Sequence, residues 1–150
     1  MTYLSNTRQL TIEWGHCDPA GIVFNSHYFE YFDFSTILLF EKALGMKKID
    51  MMKTFDADMP LVDARAKFML PSQFGDVVEI TSQIAEFRRS SFSVQHRITN
   101  HGKLAVEGQE TRVWVGHDAD DPAKMKSKPI PEAIISRFQD RLIVQGIPGF

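Results

Sequence analysis

A short carboxylate beside a Pro/Gly turn is the most chemically informative feature of this 150-residue chain. The run from His16 to Gly21 places Asp18 between an alternating segment and a very apolar one. A helix that begins soon after such a turn presents free backbone N–H groups and the positive end of its macrodipole. A carbonyl polarised there would lie within reach of Asp18, acting as a nucleophile or as a general base.

Other interpretations of the same residues stay open at this point. Asp18 also precedes Pro19, and Asp favours such turns for purely structural reasons. Spacing alone therefore favours a catalytic role and a structural role of Asp18 equally. A nucleophilic Cys/His pair would need contact between Cys17 and an imidazole of His16 or His27, which spacing does not establish. The spacing of these residues matches no standard zinc site. The sequence therefore predicts neither a metal nor another cofactor.

The elements around the turn are predicted to be a strand and a long helix. Residues 10–14 alternate apolar and polar side chains, which is the period of a half-buried strand. Ser26 is the predicted N-cap of a helix that runs to Leu44 and ends at Gly45. Residues 28–44 are apolar almost all round, which is typical of a helix enclosed by other structure.

The rest of the chain is predicted to be mostly β. Residues 46–60 form a predicted connector with four methionines, which would act as a ligand-adapting lid or fill gaps in the core. His96, on the apolar side of its strand, is expected to be buried and hydrogen-bonded. Residues 118–131 form a predicted polar loop, and an amphipathic helix is predicted at about 131–145. Segments with strand periodicity lie at residues 62–70, 78–84, 92–98 and 104–115.

This order of elements predicts an α+β fold in one domain, residues 1–150. Because strands and helices do not alternate regularly, a doubly wound parallel sheet is not expected. A curved antiparallel sheet wrapped around the central helix, with a C-terminal helix added, would explain why the central helix has so little polar surface.

Composition restricts the class of protein. A net charge of −2 argues against a general nucleic-acid binder. One cysteine excludes an internal disulfide framework and suits a reducing compartment. The first nine residues are polar, unlike a signal peptide, and four charged residues interrupt the apolar segment at 28–44, which makes it a poor membrane span. We therefore expect a cytoplasmic protein with neither a nucleic-acid nor a membrane partner.

The turn and the order of elements resemble the 4-hydroxybenzoyl-CoA thioesterase family, whose members have the hotdog fold. The resemblance covers residues from about 8 to 116, and the Asp-Pro-Ala-Gly run is its most specific part. The matching residues are Gly15, the run from Cys17 to Val23, Tyr28, Asp33, Glu86, Arg88, Arg89, Ser91 and Phe92.

The resemblance implies roles for particular residues. Asp18 would be the catalytic carboxylate, and a backbone N–H near Asn25 would polarise the thioester carbonyl. Arg88 and Arg89 would lie near the phosphates of CoA. Family members are usually dimers or tetramers with active sites shared between subunits, so a homodimer or homotetramer is expected. The other residues expected to contact substrate are Gly21, Val23, Phe24, His27 and Tyr28.

The identity of the substrate's acyl group is not decided by the resemblance, because the sequence departs from the family pattern at His16, Asn25 and Ser90. The first hypothesis is hydrolysis of an acyl-CoA or aryl-CoA thioester such as 4-hydroxybenzoyl-CoA. The alternatives are a thioesterase for short aliphatic acyl-CoA and a non-hydrolytic acyl-CoA-binding or dehydratase-like protein. The pocket would decide between an aryl and an alkyl substrate, and thiol release would identify hydrolysis.

Overall fold

A computed structural model describes residues 2–139 of the chain. Its central feature is one 20-residue helix packed on a five-stranded antiparallel sheet. The strands are β1 (Ser5–Thr11), β2 (Leu61–Phe68), β3 (Val77–Phe87), β4 (Ser91–Asn100), β5 (Lys103–Val113), β6 (Val115–His117) and β7 (Met125–Ser127). The α-helices are α1 (Asn25–Leu44), α2 (Lys48–Phe55) and α3 (Glu132–Ile135), and single 3-10 turns span Trp14–His16 and Ser136–Phe138.

The main sheet has the strand order β1-β3-β4-β5-β2, with antiparallel pairing throughout. The β4–β5 hairpin turns at His101 and Gly102, which both have positive φ. Register shifts interrupt the β3–β4, β4–β5 and β2–β5 ladders, and such bulges bend a sheet and increase its twist. The predicted α+β architecture, an antiparallel sheet packed against a long central helix, is confirmed.

Close packing between α1 and the sheet fixes the position of the helix. Phe32 is fully buried, and its ring stacks on His96 with centroids 4.8 Å apart. Gly108 lies directly opposite, where an added Cβ would stand 2.3 Å from the Phe32 ring. Only glycine therefore lets α1 approach β5 this closely. Nearer the C-terminal end of α1, Phe40 packs against Phe92 and Phe138.

A buried polar network also joins α1 to the sheet. The Glu110 carboxylate accepts hydrogen bonds from Thr36, from His96 at 3.1 Å and from Arg112 at 2.8 Å. Arg112 also reaches Asp33 on α1 at 2.7 Å. Burial alone would raise the pKa of Glu110, but the bonds from His96 and Arg112 outweigh it and lower the pKa to about 2. The prediction that His96 is a satisfied buried histidine is confirmed.

Some predicted boundaries of α1 and of the connector are wrong. The N-cap is Phe24, not Ser26, and no side chain caps the helix. Gly45 ends the helix as predicted, with φ 68° and its N–H bonded to the Glu41 carbonyl. The predicted connector contains α2 instead, because Met51 is buried in the core and Asp56 closes the helix in the left-handed conformation.

The last part of the described chain also differs from the prediction. Within the predicted polar loop, β7 pairs with β6. Between residues 131 and 139, the predicted helix at 131–145 forms only α3 and one 3-10 turn, because Gln139 is extended and bridges to Tyr3. Residues 140–145 of that prediction lie outside the described residues. Within residues 2–139 no helix is both long and apolar enough to cross a membrane.

Candidate active site

The turn at Asp18 is built by backbone hydrogen bonds. The N–H of Asp18 donates to the Ile22 carbonyl and the N–H of Gly21 donates to the Asp18 carbonyl, both at 2.9 Å. Gly21 has φ +83°, a conformation that side chains rarely adopt. The carboxylate accepts from the Ala20 N–H through Oδ1 at 2.8 Å. Asp18 therefore has a structural role in its own turn, and Oδ2 has no protein hydrogen-bond partner within residues 2–139.

The start of α1 supplies free donors beside this turn. The N–H of Phe24 donates to the His16 carbonyl at 2.9 Å, and the N–H of His27 donates to the Phe24 carbonyl at 3.0 Å. Asn25 is the first helical residue, so its N–H has no intrahelical partner, and no other described group accepts from it. The N-terminus of a 20-residue helix therefore presents an unpaired N–H and a partial positive charge there.

A cleft of about 470 Å³ joins the Asp18 turn to this helix end. It brings together the predicted residues Asp18, Val23, Phe24, Asn25 and Tyr28. The complete lining is Asp18, Ile22, Val23, Phe24, Asn25, Tyr28, Phe68, Met69, Leu70 and Pro71. Sites for small molecules are typically apolar clefts of this size with a few polar groups, so the cleft suits an acyl group with its carbonyl near Asp18.

The opposite wall, residues 68–71, was missed by the sequence analysis. Phe68 is the last residue of β2 and residues 69–71 follow it; Phe68, Met69 and Leu70 are 49%, 39% and 39% exposed. The available signal was the continuous apolar run Phe-Met-Leu-Pro, where the alternation of β2 stops. Exposed apolar residues that meet in a concave surface favour a binding site over a solvated strand end.

Gly21 and His27 do not line the cleft. Gly21 shapes the turn, and His27 lies on the neighbouring side of the first turn of α1, where Nδ1 is 2.7 Å from a Glu30 oxygen. The His27 ring is 4.9 Å from that of His16, which is bonded to the Tyr31 hydroxyl at 2.8 Å. Among the residues with described coordinates, no group of three His, Cys, Asp or Glu side chains could hold a metal ion.

Arg88 and Arg89 are not brought to the cleft within one chain. They lie in the turn between β3 and β4, where Arg88 pairs with Glu86 at 2.9 Å. The other end of β3, at Val77, lies beside the Asp18 turn. At about 3.3 Å per residue, the length of β3 puts roughly 33 Å between its two ends. The arginine pair and Asp18 therefore occupy opposite ends of the sheet.

Comparisons with known proteins identify the family and support the fold. The family model of the thioesterase-like superfamily matches residues 12–138. The chain is 33% identical over 122 residues to 4-hydroxybenzoyl-CoA thioesterase from Pseudomonas sp. strain CBS-3, covering 77% of this chain and 86% of that protein. The structure of that enzyme superposes with a TM-score of 0.80 at 27% identity, covering 89% of this chain and 98% of the other.

Two further structures are similar. An Asp-to-Asn variant of 4-hydroxybenzoyl-CoA thioesterase, in complex with 4-hydroxybenzoyl-CoA, gives a TM-score of 0.80 at 27% identity, covering 90% of this chain and 99% of that chain. A gentisyl-coenzyme A thioesterase gives a TM-score of 0.74 at 28% identity, covering 87% of this chain and 99% of that chain. The family match over most of the chain and the shared architecture show that this protein is a hotdog-fold thioesterase and belongs to the thioesterase-like superfamily.

Proposed function

We propose that the protein hydrolyses the thioester of an aryl-CoA, with 4-hydroxybenzoyl-CoA as the first candidate substrate, to the free acid and CoA. The observation that carries this proposal is that one cleft is lined by both Asp18, whose Oδ2 has no described hydrogen-bond partner, and Asn25, the first residue of α1, whose backbone N–H has none either. A thioester carbonyl placed between them would be polarised from one side and attacked from the other.

In the proposed mechanism, the N–H of Asn25 stabilises the negative charge that develops on the carbonyl oxygen. Loss of one such donor typically costs about 10²–10³ in turnover. Asp18 attacks the carbonyl carbon to give a mixed anhydride that water then opens, or it takes a proton from the attacking water. In both routes the C–S bond breaks and CoA leaves as a thiolate. The hydrogen bond from Ala20 would orient the carboxylate in either route.

The acyl group would occupy the apolar part of the cleft. Phe24 and the wall at residues 68–71 offer exposed aromatic and aliphatic surface that an aryl ring would cover. By their names, 4-hydroxybenzoyl-CoA thioesterase and gentisyl-coenzyme A thioesterase, each more than 25% identical to this chain, act on hydroxylated aryl-CoA thioesters, which favours an aryl substrate. A short aliphatic acyl-CoA is the second candidate, because the same apolar surface would bind an alkyl chain.

The proposed assembly is a homodimer or homotetramer. Arg88 and Arg89 suit bidentate contacts to phosphate, yet they lie at the far end of the sheet from Asp18. If they bind the CoA phosphates of a substrate in this cleft, the copies in a second subunit would provide the contact. The cytoplasm is the proposed location, on the compositional grounds given above.

A panel of thioesters tests the proposal. Purified protein is incubated with 4-hydroxybenzoyl-, benzoyl-, acetyl- and butyryl-CoA, and released thiol is measured with a chromogenic reagent. The expected result is a higher kcat/KM for the aryl esters. A preference for butyryl-CoA would establish the aliphatic alternative. Binding of CoA without thiol release from any ester would reject hydrolysis and favour a binding protein.

A further inference from the structure

The chain between β2 and β3 supports the Asp18 turn from outside the cleft. The N–H of Val23 donates to the Ser72 carbonyl at 2.9 Å, and Ile22 bridges to Gln73. The carbonyl of Ile22 in turn accepts the N–H of Asp18 at 2.9 Å. The position of the Asp18 carboxylate therefore depends on where the backbone of Ser72 and Gln73 lies.

One side-chain amide, that of Asn100, holds this backbone in place. Its nitrogen donates one hydrogen to Ser72 Oγ at 3.1 Å and the other to Asp76 Oδ2 at 2.8 Å. The same Asp76 oxygen accepts the N–H of Gln73 at 2.8 Å. The bonds from Gln73 and Asn100 lower the pKa of Asp76, so its carboxylate is ionised at neutral pH and can only accept. The amide nitrogen, and not the amide oxygen, must therefore face Asp76.

Asn100 is itself fixed by the main sheet. It is the last residue of β4, and it pairs with Val78 on β3 and with Lys103 on β5. Asn100 is 7% exposed, and Ser72 is fully buried. A side chain on a paired strand is held more precisely than a side chain on a loop. The amide of Asn100 therefore ties the loop at Ser72 to the most rigid part of the fold.

This arrangement destabilises the fold in one respect. Both hydrogens of the Asn100 amide nitrogen are used, and its Oδ1 is buried without a hydrogen-bond partner in the described part of the chain. Most buried polar atoms are paired, and an unpaired one lowers stability. Because an apolar side chain would avoid that loss, stability alone does not explain an asparagine here. A directional bond to Ser72 does explain it.

The opposite wall of the cleft has a separate anchor. The N–H groups of Met69 and Leu70 both donate to the carbonyl of Ala105 on β5, at 2.8 and 3.1 Å. These backbone bonds do not involve Asn100. Removal of the Asn100 side chain should therefore displace the Asp18 turn while the apolar wall, where the acyl group would bind, stays in place.

We propose that Asn100 is a positioning residue for thioester hydrolysis, which acts through Ser72 to hold the Asp18 carboxylate where it can attack. The inference rests on the proposed function and deepens it. The chemical step is sensitive to geometry, and a displacement of about 1 Å can lower its rate by about 10²-fold. Substrate binding depends more on the separately anchored wall. Loss of the amide should therefore lower kcat far more than it weakens binding.

The test measures two quantities in Asn100→Ala. One is kcat per folded molecule for the best ester of the panel above, with the folded fraction taken from circular dichroism. The other is the Kd of the matching thioether, which cannot be hydrolysed. The expected result is a kcat lowered by about 10- to 100-fold and a Kd within about threefold of the wild type.

The matched control is Ser82→Ala. It removes a different buried hydrogen bond to β4, the one between Ser82 and His96 at 2.7 Å. Ser82 does not line the cleft, so this variant should leave kcat per folded molecule unchanged. The control separates a positioning effect from a general effect of lost stability.

A double variant tests whether Asn100 acts through Ser72. Ser72→Ala removes Oγ but keeps the backbone bond from Val23. If the effect passes through this hydroxyl, adding Ser72→Ala to Asn100→Ala should cause no further loss of kcat. Losses of kcat that multiply would show that the two side chains act independently, and would reject this route.

Two further results would overturn the inference. One is a kcat in Asn100→Ala within about twofold of the wild type. The other is an equal loss of kcat in Ser82→Ala, which would identify a general effect of stability.

Amide hydrogen exchange gives a readout that does not need turnover. If the wild type released no thiol from any ester, the proposed function would fail, and this readout would still test the link between Asn100 and the Asp18 turn. Asn100→Ala should speed exchange of the Val23 N–H by about tenfold or more, because its acceptor Ser72 is no longer held. Exchange of the Met69 N–H should keep its rate. An unchanged rate at Val23 would reject the link.

Discussion

The substitution Glu110→Gln tests the buried polar network that holds α1 on the sheet. Glutamine keeps the shape of the side chain but removes the charge that Arg112 and His96 stabilise. Glu110 is 1% exposed, so water would not replace these interactions. The variant therefore resembles the wild-type protein with a protonated carboxyl group at this position.

The size of the effect follows from the pKa of Glu110, which falls from an ordinary value of 4.5 to about 2 in the folded chain. The folded state thus favours the ionised form, so the stabilisation is complete well above pH 4.5 and is lost as the pH falls from 4.5 toward 2. Each pKa unit corresponds to about 1.4 kcal/mol. The expected destabilisation of the variant is about 3 kcal/mol at pH 7 and about half of that at pH 3.

Urea unfolding at fixed protein concentration, at pH 7 and at pH 3, measures both values. The matched control is Glu107→Gln on the same strand, because Glu107 forms a more exposed ion pair with Arg97 at 3.2 Å. That control should cost no more than about 1 kcal/mol. The reasoning would be refuted if Glu110→Gln were no more destabilising than the control, or if its cost were the same at both pH values.

Three further variants test other parts of the structure. Gly108→Ala should destabilise the fold by about 1–3 kcal/mol in urea, because its Cβ would stand 2.3 Å from Phe32; a neutral result would contradict the close packing. Gly21→Ala should lower the free energy of unfolding by about 1 kcal/mol, because residue 21 has a φ of +83°, and it should lower kcat by moving Asp18. A wild-type kcat would show that the turn tolerates the change. Alanine at Arg88 and Arg89 together should raise KM for CoA esters and leave kcat and the hydrolysis of nucleotide-free thioesters unchanged; a lower kcat with the same KM would reject the phosphate contact.

Much of the fold could be predicted because its determinants are local. The apolar character of residues 28–44 predicted a long helix packed against other structure, although Phe34 is 51% exposed, and the order of the elements predicted an antiparallel sheet. The four methionines of residues 46–60 obscured α2, since its stability depends on burying Met51 against distant parts of the core. The N-cap at Phe24 was also unpredictable, because no side chain caps the helix and the backbone bond to His16 replaces a local signal.

The candidate site was predicted where its residues are close in sequence, at the Asp18 turn and the start of α1. The wall at residues 68–71 could not be placed, because the pairing of β2 with β5 brings it there from a distant part of the chain. Sequence separation likewise concealed that Arg88 lies at the opposite end of the sheet from Asp18.

The most direct test of the account measures turnover and substrate affinity in Asp18→Asn. Asparagine still accepts the Ala20 hydrogen bond, so the turn and the fold should persist, whereas the side chain loses its ability to attack or to accept a proton. We predict a fall in kcat of at least about 10², with the Kd of 4-hydroxybenzoyl-CoA within a few fold of the wild type. Wild-type turnover by a folded Asp18→Asn protein would contradict the central claim that this carboxylate performs the chemistry.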